Sequence, residues 1–76
     1  MITVEDVKKL MAEVFPEDDL ESSDDFVEDG IITSLKSLEL LNSIDMLFGV
    51  RIPPEAVVSD SFRSFESVAA LVNQYA

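Results

Sequence analysis

Apolar residues recur at steps of three and four in three separate stretches of the chain, which is the spacing of one face of an α-helix. The first stretch predicts a helix from Val4 to Phe15. Thr3 suits its N-cap position, and Asp6 three residues later completes a pair that resembles a capping box. Pro16 cannot continue the helix without loss of a hydrogen bond, so the helix is expected to end there.

The middle stretch predicts a helix that begins at Ser34 or Leu35 and ends at Phe48, with Gly49 as its C-terminal stop. The stripe expected to face the core contains Leu40, Leu41, Ile44, Leu47 and Phe48. A neighbouring stripe contains Leu35, Leu38 and Met46, with Asn42 between them. This is more apolar surface than one buried face needs, so two interpretations stay open. The helix either has a wide core face or exposes an apolar patch to a partner.

The C-terminal part of the chain predicts a turn and a last helix. Ile52 precedes Pro53 and is expected to be extended, and a short helical turn is expected within residues 54–62. The last helix is predicted from about Phe65 to Tyr75, with Ser64 as its N-cap. Its buried face is expected to contain Phe65, Val68, Ala69, Leu71, Val72 and Tyr75. No strand-like alternation is present, so the sequence predicts an all-α bundle of three main helices plus one short helix.

The connection between the first two helices, residues 16–33, concentrates the negative charge. Residues 17–29 hold eight of the sixteen acidic residues and no base, which is typical of a solvated loop. Apolar residues interrupt the run and are expected to pin it across the helices: Leu20, Phe26, Val27, Ile31 and Ile32. An EF-hand calcium loop that starts at Asp19 would place Asp24 where glycine is required, so no dedicated metal site is predicted.

Composition narrows the class of protein further. The 76 residues allow one domain, residues 1–76, and 47% hydrophobic residues favour a folded chain over a disordered one despite a net charge of −11. Such a charge should repel nucleic acid and anionic membranes and attract basic protein surfaces. The N-terminal residues lack the pattern of a signal peptide, and no apolar run is long enough to span a membrane. We therefore expect a cytoplasmic protein with no membrane insertion.

The residue types needed for the common catalytic arrangements are missing. The sequence contains no cysteine and no histidine, which excludes Ser–His–Asp and Cys–His arrangements. Nothing in the spacing of the lysines suggests a Ser–Lys pair, and the acidic residues lie mainly in a predicted surface loop where no cleft is implied. The sequence therefore predicts a protein that is not an enzyme.

Ser34 stands where the acidic connection meets the middle helix. Its hydroxyl suits the N-cap position, where it would accept a hydrogen bond from an amide of the first turn. The same place also suits a modification, because the free N–H groups and the dipole of a helix N-terminus favour an attached phosphate. A partner's active site could reach the hydroxyl there. The residues alone leave both interpretations open.

Four segments in this order resemble the phosphopantetheine-dependent carrier proteins, the family of acyl, peptidyl and D-alanyl carriers. The segments are "GIITSL" at 30–35, "LELL" at 38–41, "FGVRIP" at 48–53 and "SFRSFESVAALV" at 61–72. With the first helix they cover nearly the whole chain. The resemblance implies an acyl-carrier-like four-helix bundle and a free-standing, monomeric carrier of fatty acid or secondary metabolite biosynthesis.

The resemblance also implies a cofactor and a set of partners. In this family the serine that begins the second helix carries a covalent 4′-phosphopantetheine arm, derived from coenzyme A, which here would be on Ser34 between Thr33 and Leu35. The thiol of the arm holds an acyl or aminoacyl group as a thioester. The implied partners are a phosphopantetheinyl transferase, an acyl- or aminoacyl-loading ligase and a downstream acyltransferase or synthase. The implied partner surface consists of Leu35, Leu38, Glu39, Asn42, Asp45, Met46 and Ile52.

Several positions depart from the usual family pattern. Thr33 replaces the aspartate that commonly precedes the serine, and Lys36 and Met46 occupy positions where acids are frequent. The spacing from Gly30 to Ser34 is one residue longer than in many fatty-acid carriers and is more similar to D-alanyl and other aminoacyl or secondary-metabolite carriers. Because the missing aspartate helps recognition by the transferase, an unmodified carrier-like interaction module is the alternative function.

Overall fold

The computed structural model describes residues 1–57 and 59–76 of the chain. Its elements are helix α1 (Val4–Val14), helix α2 (Ser34–Phe48), two short 3₁₀ turns (Pro54–Ala56 and Ser59–Phe62) and helix α3 (Phe65–Tyr75). The described residues contain no strand. The small all-helical bundle is therefore confirmed, although two 3₁₀ turns take the place of the short helix. Val58, within the segment where that helix was predicted, lies outside the described residues.

The boundaries of the first and last helices follow from their caps. The Thr3 hydroxyl accepts a hydrogen bond from the Asp6 N–H at 3.1 Å, and the Asp6 carboxylate accepts one from the Thr3 N–H at 3.0 Å, which confirms the capping box. α1 ends at Val14, one residue earlier than predicted. Ser64 caps α3 and forms a second reciprocal pair with Ser67. These local hydrogen bonds satisfy N–H groups that a helix start otherwise leaves free.

The three helices meet in a single core. α1 contacts both α2 and α3. Side chains with no exposed surface come from each helix: Val7 and Met11, Leu40 and Ile44, Val68 and Val72. Such a core supplies most of the stability of so short a chain, because burial of apolar surface is the dominant favourable contribution to folding.

Two residues predicted to be buried are exposed instead. Leu47 is 56% exposed and Tyr75 is 42% exposed. Both lie in the last turn of a helix, where the apolar pattern continues but the neighbouring elements no longer cover the side chain. Leu47 lies beside an open groove to which α1 contributes mainly polar side chains: Asp6, Lys9 and Glu13. Tyr75 is the last residue of α3 and carries a polar hydroxyl, which favours partial exposure.

The acidic connection is held against the bundle through Phe26, as its apolar residues predicted. The Phe26 side chain is 1% exposed, and its ring packs edge-on against Phe65 with centroids 5.1 Å apart. The Phe26 N–H donates to the Arg63 carbonyl at 2.8 Å, and the Phe26 carbonyl accepts from the N–H groups of Ile31 and Ile32. Phe26 thus gives a long segment without regular secondary structure a fixed position.

Ion pairs fasten the same connection at several points, one of which joins Lys8 Nζ of α1 to Glu21 Oε1 at 3.7 Å. Lys36 Nζ lies 2.8 Å from Asp18 Oδ2, which links the connection to the first turn of α2. Arg63 forms ion pairs with Asp25 and Asp60, which link the connection to the second 3₁₀ turn. Among residues 1–57 and 59–76, no group of three or more acidic side chains is arranged to hold a metal ion.

In the described part of the chain, none of the helices has both the length and the apolar character needed to cross a membrane.

Candidate functional site

Thr33, not Ser34, is the N-cap of α2. Its backbone is extended, with φ −99° and ψ 177°, and its hydroxyl accepts a hydrogen bond from the Lys36 N–H at 3.3 Å. The interpretation of Ser34 as the cap is therefore wrong by one residue. Ser34 is the first residue of α2, so its hydroxyl does not take part in the capping hydrogen bond.

The Ser34 side chain is exposed at the edge of a groove. The Ser34 hydroxyl makes no hydrogen bond to the described residues, whereas its carbonyl accepts one from the Ser37 hydroxyl at 2.7 Å. The groove has a volume of about 280 Å³ and is lined by Val27, Ile32, Thr33, Ser34, Ser37, Val57 and Phe62. A hydroxyl in this place can be reached from solvent and borders a mainly apolar surface.

The electrostatic surroundings of Ser34 suit an anionic substituent. The first turn of α2 contains no acidic residue, and Thr33 is a neutral cap. The partial positive charge at the helix N-terminus therefore faces Ser34 with no carboxylate on the first turn to oppose it. An attached phosphodiester would be stabilised by this field and by the N–H groups of the first turn.

The ammonium group of Lys36 contacts other residues of the chain. Its ammonium group pairs with Asp18 and lies 5.5 Å from the centroid of the Phe15 ring. Both contacts draw the side chain toward the end of α1. Lys36 therefore joins the first turn of α2 to the connection and to the end of α1, and Asp18 balances its charge.

Arg63 connects two chain segments that contribute residues to the groove. It precedes Ser64, follows Phe62 of the groove, and reaches Asp25 of the connection that supplies Val27 and Ile32. Partial burial raises the pKa of Asp25, but hydrogen bonds from the Glu28 N–H, Arg63 and the Val27 N–H together hold that pKa below its ordinary value.

Hydrogen bonds to Asp60 and Asp25 raise the pKa of Arg63 above its ordinary value. The charged Arg63 guanidinium and the ionised Asp25 carboxylate therefore stabilise each other. The result is a charged link between the two chain segments that line the groove.

Besides Leu47, three apolar side chains of α2 are exposed, and they form the second stripe predicted from the sequence. Met46 is 75% exposed, Leu35 is 68% exposed and Leu38 is 54% exposed. The interpretation of this stripe as part of a wide core face is wrong, and the exposed apolar patch is confirmed as a feature of the surface. Glu39 and Asn42 are exposed on the same side of α2.

Two further residues of the predicted partner surface lie in different surroundings. Asp45 is half-buried, and its carboxylate lies 3.6 Å from Arg51 Nε. Ile52 is only 6% exposed and belongs to the core, so its inclusion in the surface is wrong. The sequence gives no signal for the side on which the Ile52 side chain packs, because the segment has no periodicity.

The groove itself was not predicted. Its apolar walls come from Val27 and Ile32, which precede α2 in the chain, and from Val57 and Phe62, which follow it. None of these residues belongs to a repeating pattern. The available signal is that Ile32 and Phe62 lie within the segments "GIITSL" and "SFRSFESVAALV", and that Val27 and Val57 lie shortly before them.

This arrangement is a small helical bundle with an exposed serine at the first residue of α2, and no described side chain hydrogen-bonds to the hydroxyl of that serine. A family model described as "Phosphopantetheine attachment site" matches residues 5–73, and the chain belongs to this family. Domains of the family are non-catalytic carriers with covalently attached 4′-phosphopantetheine, so the chain is a phosphopantetheine carrier and not an enzyme. No curated protein and no solved structure gives a significant match to the chain.

Proposed function

We propose that Ser34 is the attachment residue and that residues 1–76 form one carrier domain for an acyl or aminoacyl group. The observation that carries this proposal is the position of Ser34, exposed as the first residue of α2 within a family of phosphopantetheine carriers. A longer Gly30-to-Ser34 spacing favours an aminoacyl or secondary-metabolite cargo over general fatty-acid synthesis.

The residues around Ser34 fit the arm. The hydroxyl is free to form the phosphodiester, Thr33 holds the start of the helix without adding a negative charge, and Leu35 follows on the exposed side. When bound, 4′-phosphopantetheine supplies the thiol that a chain without cysteine lacks, and that thiol carries the cargo as a thioester. The groove beside Ser34 offers an apolar surface at the point of attachment.

The carrier has to present the serine and need not activate it. No side chain of the described residues hydrogen-bonds to the Ser34 hydroxyl, so a general base must come from the modifying enzyme. We propose that a phosphopantetheinyl transferase fulfils this role. A loading ligase and a downstream acyltransferase or synthase would then use the same end of α2.

The proposed contact surface for these enzymes is the exposed side of α2. It comprises Leu35, Leu38, Glu39, Asn42, Asp45 and Met46. This surface begins one residue after Ser34, so an enzyme bound to it would have its active site near the attachment point. Exposed apolar side chains with charged neighbours are typical of protein interaction sites.

Thr33 favours one alternative function, an unmodified interaction module. The usual aspartate contributes to recognition by the transferase, and threonine lacks its charge. Thr33 does, however, retain the capping hydrogen bond to the Lys36 N–H. The alternative therefore depends on the transferase contact and not on a defect in the helix.

Intact-mass spectrometry after incubation with coenzyme A and a broad-specificity phosphopantetheinyl transferase tests the proposal. Wild type should gain one phosphopantetheine, Ser34→Ala should gain none, and Ser37→Ala, a matched serine of the same groove, should behave as wild type. A gain that persists in Ser34→Ala would refute the assignment. If folded wild type gains nothing while Thr33→Asp is modified, the interaction module would be the better description.

A further inference from the structure

We propose that a phosphodiester on Ser34 completes the N-terminal capping of α2, so that attachment of the arm stabilises the folded protein. This inference rests on the proposed function, because it requires the arm to be on Ser34. It gives a physical role to Thr33 and Lys36, two residues at the start of α2 that depart from the usual family pattern.

The start of α2 has fewer capping hydrogen bonds than the starts of α1 and α3. In α1 and α3 the cap residue and the residue three positions later each accept a hydrogen bond from the other's N–H. In α2 the Thr33 hydroxyl accepts from the Lys36 N–H at 3.3 Å, compared with 3.1 Å for the equivalent bond in the other two helices. The return bond cannot form, because a lysine ammonium group donates hydrogen bonds and has no acceptor.

The N–H groups at this helix start are available to an anionic acceptor. Those of Thr33, Ser34 and Leu35 make no hydrogen bond within residues 1–57 and 59–76, and all three residues are exposed. The family match independently assigns a phosphate-linked arm to this chain. An ionised phosphodiester accepts stronger hydrogen bonds than a neutral group does, so attachment at Ser34 would add a strong acceptor next to these donors in the chain.

The charges around the first turn favour the same result. The first turn contains no acidic residue, Thr33 is a neutral cap, and Asp18 balances Lys36 across 2.8 Å. The phosphodiester would therefore be the one negative charge on the first turn, where the helix dipole is most favourable to it. An aspartate at the position of Thr33 would already occupy this field and would repel the phosphate. The gain from attachment should therefore be larger with threonine.

The net charge of −11 acts in the opposite direction, because one more negative charge increases the repulsion within the folded chain. The Debye length is about 8 Å at physiological ionic strength, so more distant carboxylates contribute little. Asp18, the carboxylate that is joined to the first turn, is already paired with Lys36. We therefore expect the local attraction at the helix start to exceed the diffuse repulsion.

Thermal unfolding followed by circular dichroism tests this inference on the unmodified and the modified protein. The modified form is made with coenzyme A and the broad-specificity transferase, verified by intact mass and kept in a reductant so that the arm does not form disulfides. Attachment should raise the Tm of wild type by about 4–8 °C, the shift expected for one capping-sized contribution in a domain of this size.

Two variants of Thr33 separate the charge from the capping hydrogen bond. Thr33→Asp should raise the Tm of the unmodified protein, since it adds a carboxylate at the helix start, and the arm should then add less than about half of the wild-type shift. Thr33→Asn is the matched neutral control, because asparagine is a good cap without a charge. It should keep the wild-type shift.

The outcomes distinguish this inference from the proposed function. If wild type carries the arm on Ser34 and its Tm is unchanged or lower, the inference fails and the carrier function stands. An equal rise in wild type and Thr33→Asp would also overturn the inference, because the arm would then act through the groove and not through the cap. A shift that is reduced in Thr33→Asn as much as in Thr33→Asp would exclude charge as the cause. Failure of folded wild type to be modified would remove both proposals.

Discussion

Replacement of Phe26 by alanine tests how the acidic connection is held to the bundle. The side chain is 1% exposed and its ring meets the edge of Phe65, so the substitution removes both buried apolar area and an aromatic contact. A Phe-to-Ala change in a core costs about 3–5 kcal/mol, of which the aromatic pair accounts for roughly 0.5–1.5 kcal/mol.

That loss is large for this chain. At about 0.05–0.15 kcal/mol per residue, a domain of 76 residues has a total stability of roughly 4–11 kcal/mol. Phe26→Ala should therefore consume much of the free energy of unfolding and, toward the lower end of that range, populate the unfolded state without denaturant. Phe26→Leu, which fills most of the space, should cost only about 1 kcal/mol and keep the protein folded for comparison.

Urea unfolding followed by far-UV circular dichroism measures these differences, with the m value as a check on two-state behaviour. Tyr75→Ala is the matched aromatic control, because Tyr75 is 42% exposed and should lose less than about 1 kcal/mol. A similarly small loss for Phe26→Ala, with an unchanged m value, would refute the view that Phe26 anchors the connection.

Two further predictions concern the cap and the charged link. Thr33→Ala should destabilise the protein by about 1 kcal/mol in urea unfolding, because the Lys36 N–H loses its acceptor, and an unchanged midpoint would show that the cap is dispensable. Asp25→Asn should reduce stability at neutral pH, and the difference from wild type should shrink in acid. The pKa of Asp25 is lowered in the folded state, so its contribution is present above the ordinary carboxyl pKa and is lost as the pH falls through the lowered one. Asp24→Asn removes the same charge from the same segment as a control, and an equal, pH-independent loss in both variants would contradict this role of Asp25.

The helices were predictable because their signals are local. The boundaries of α2 and α3, the Thr3 and Ser64 caps and the stop at Gly49 each depend on residues within a few positions of one another. Gly49 has φ 68°, a left-handed backbone that suits glycine. The same local chemistry left the cap of α2 ambiguous, because Thr33 and Ser34 both carry a suitable hydroxyl and only the backbone conformation distinguishes them.

The parts that could not be predicted depend on contacts between distant segments. Ile52 lies in a stretch without periodicity, so its burial could not be read from the sequence. The sequence shows that Lys36 is charged but not which residue it pairs with, because Asp18 is 18 residues away. Leu47 followed the helical pattern, yet its exposure is decided by the polar side chains that α1 presents beside it. Periodicity identifies which residues can be buried, whereas the neighbouring element determines which of them are.

The link between Arg63 and Asp25 also has a consequence for the order of folding. It joins residues 38 positions apart, and the Phe26 N–H to Arg63 carbonyl bond closes a loop of similar length. Closing such a long loop costs chain entropy, which other contacts must offset before the closure becomes favourable. Capped helices, by contrast, form from neighbouring residues. The groove beside Ser34 is lined by residues of both the connection and the second 3₁₀ turn, so we expect it to be among the last parts of the structure to form. We therefore expect the surroundings of Ser34 to become complete only once the rest of the chain has folded.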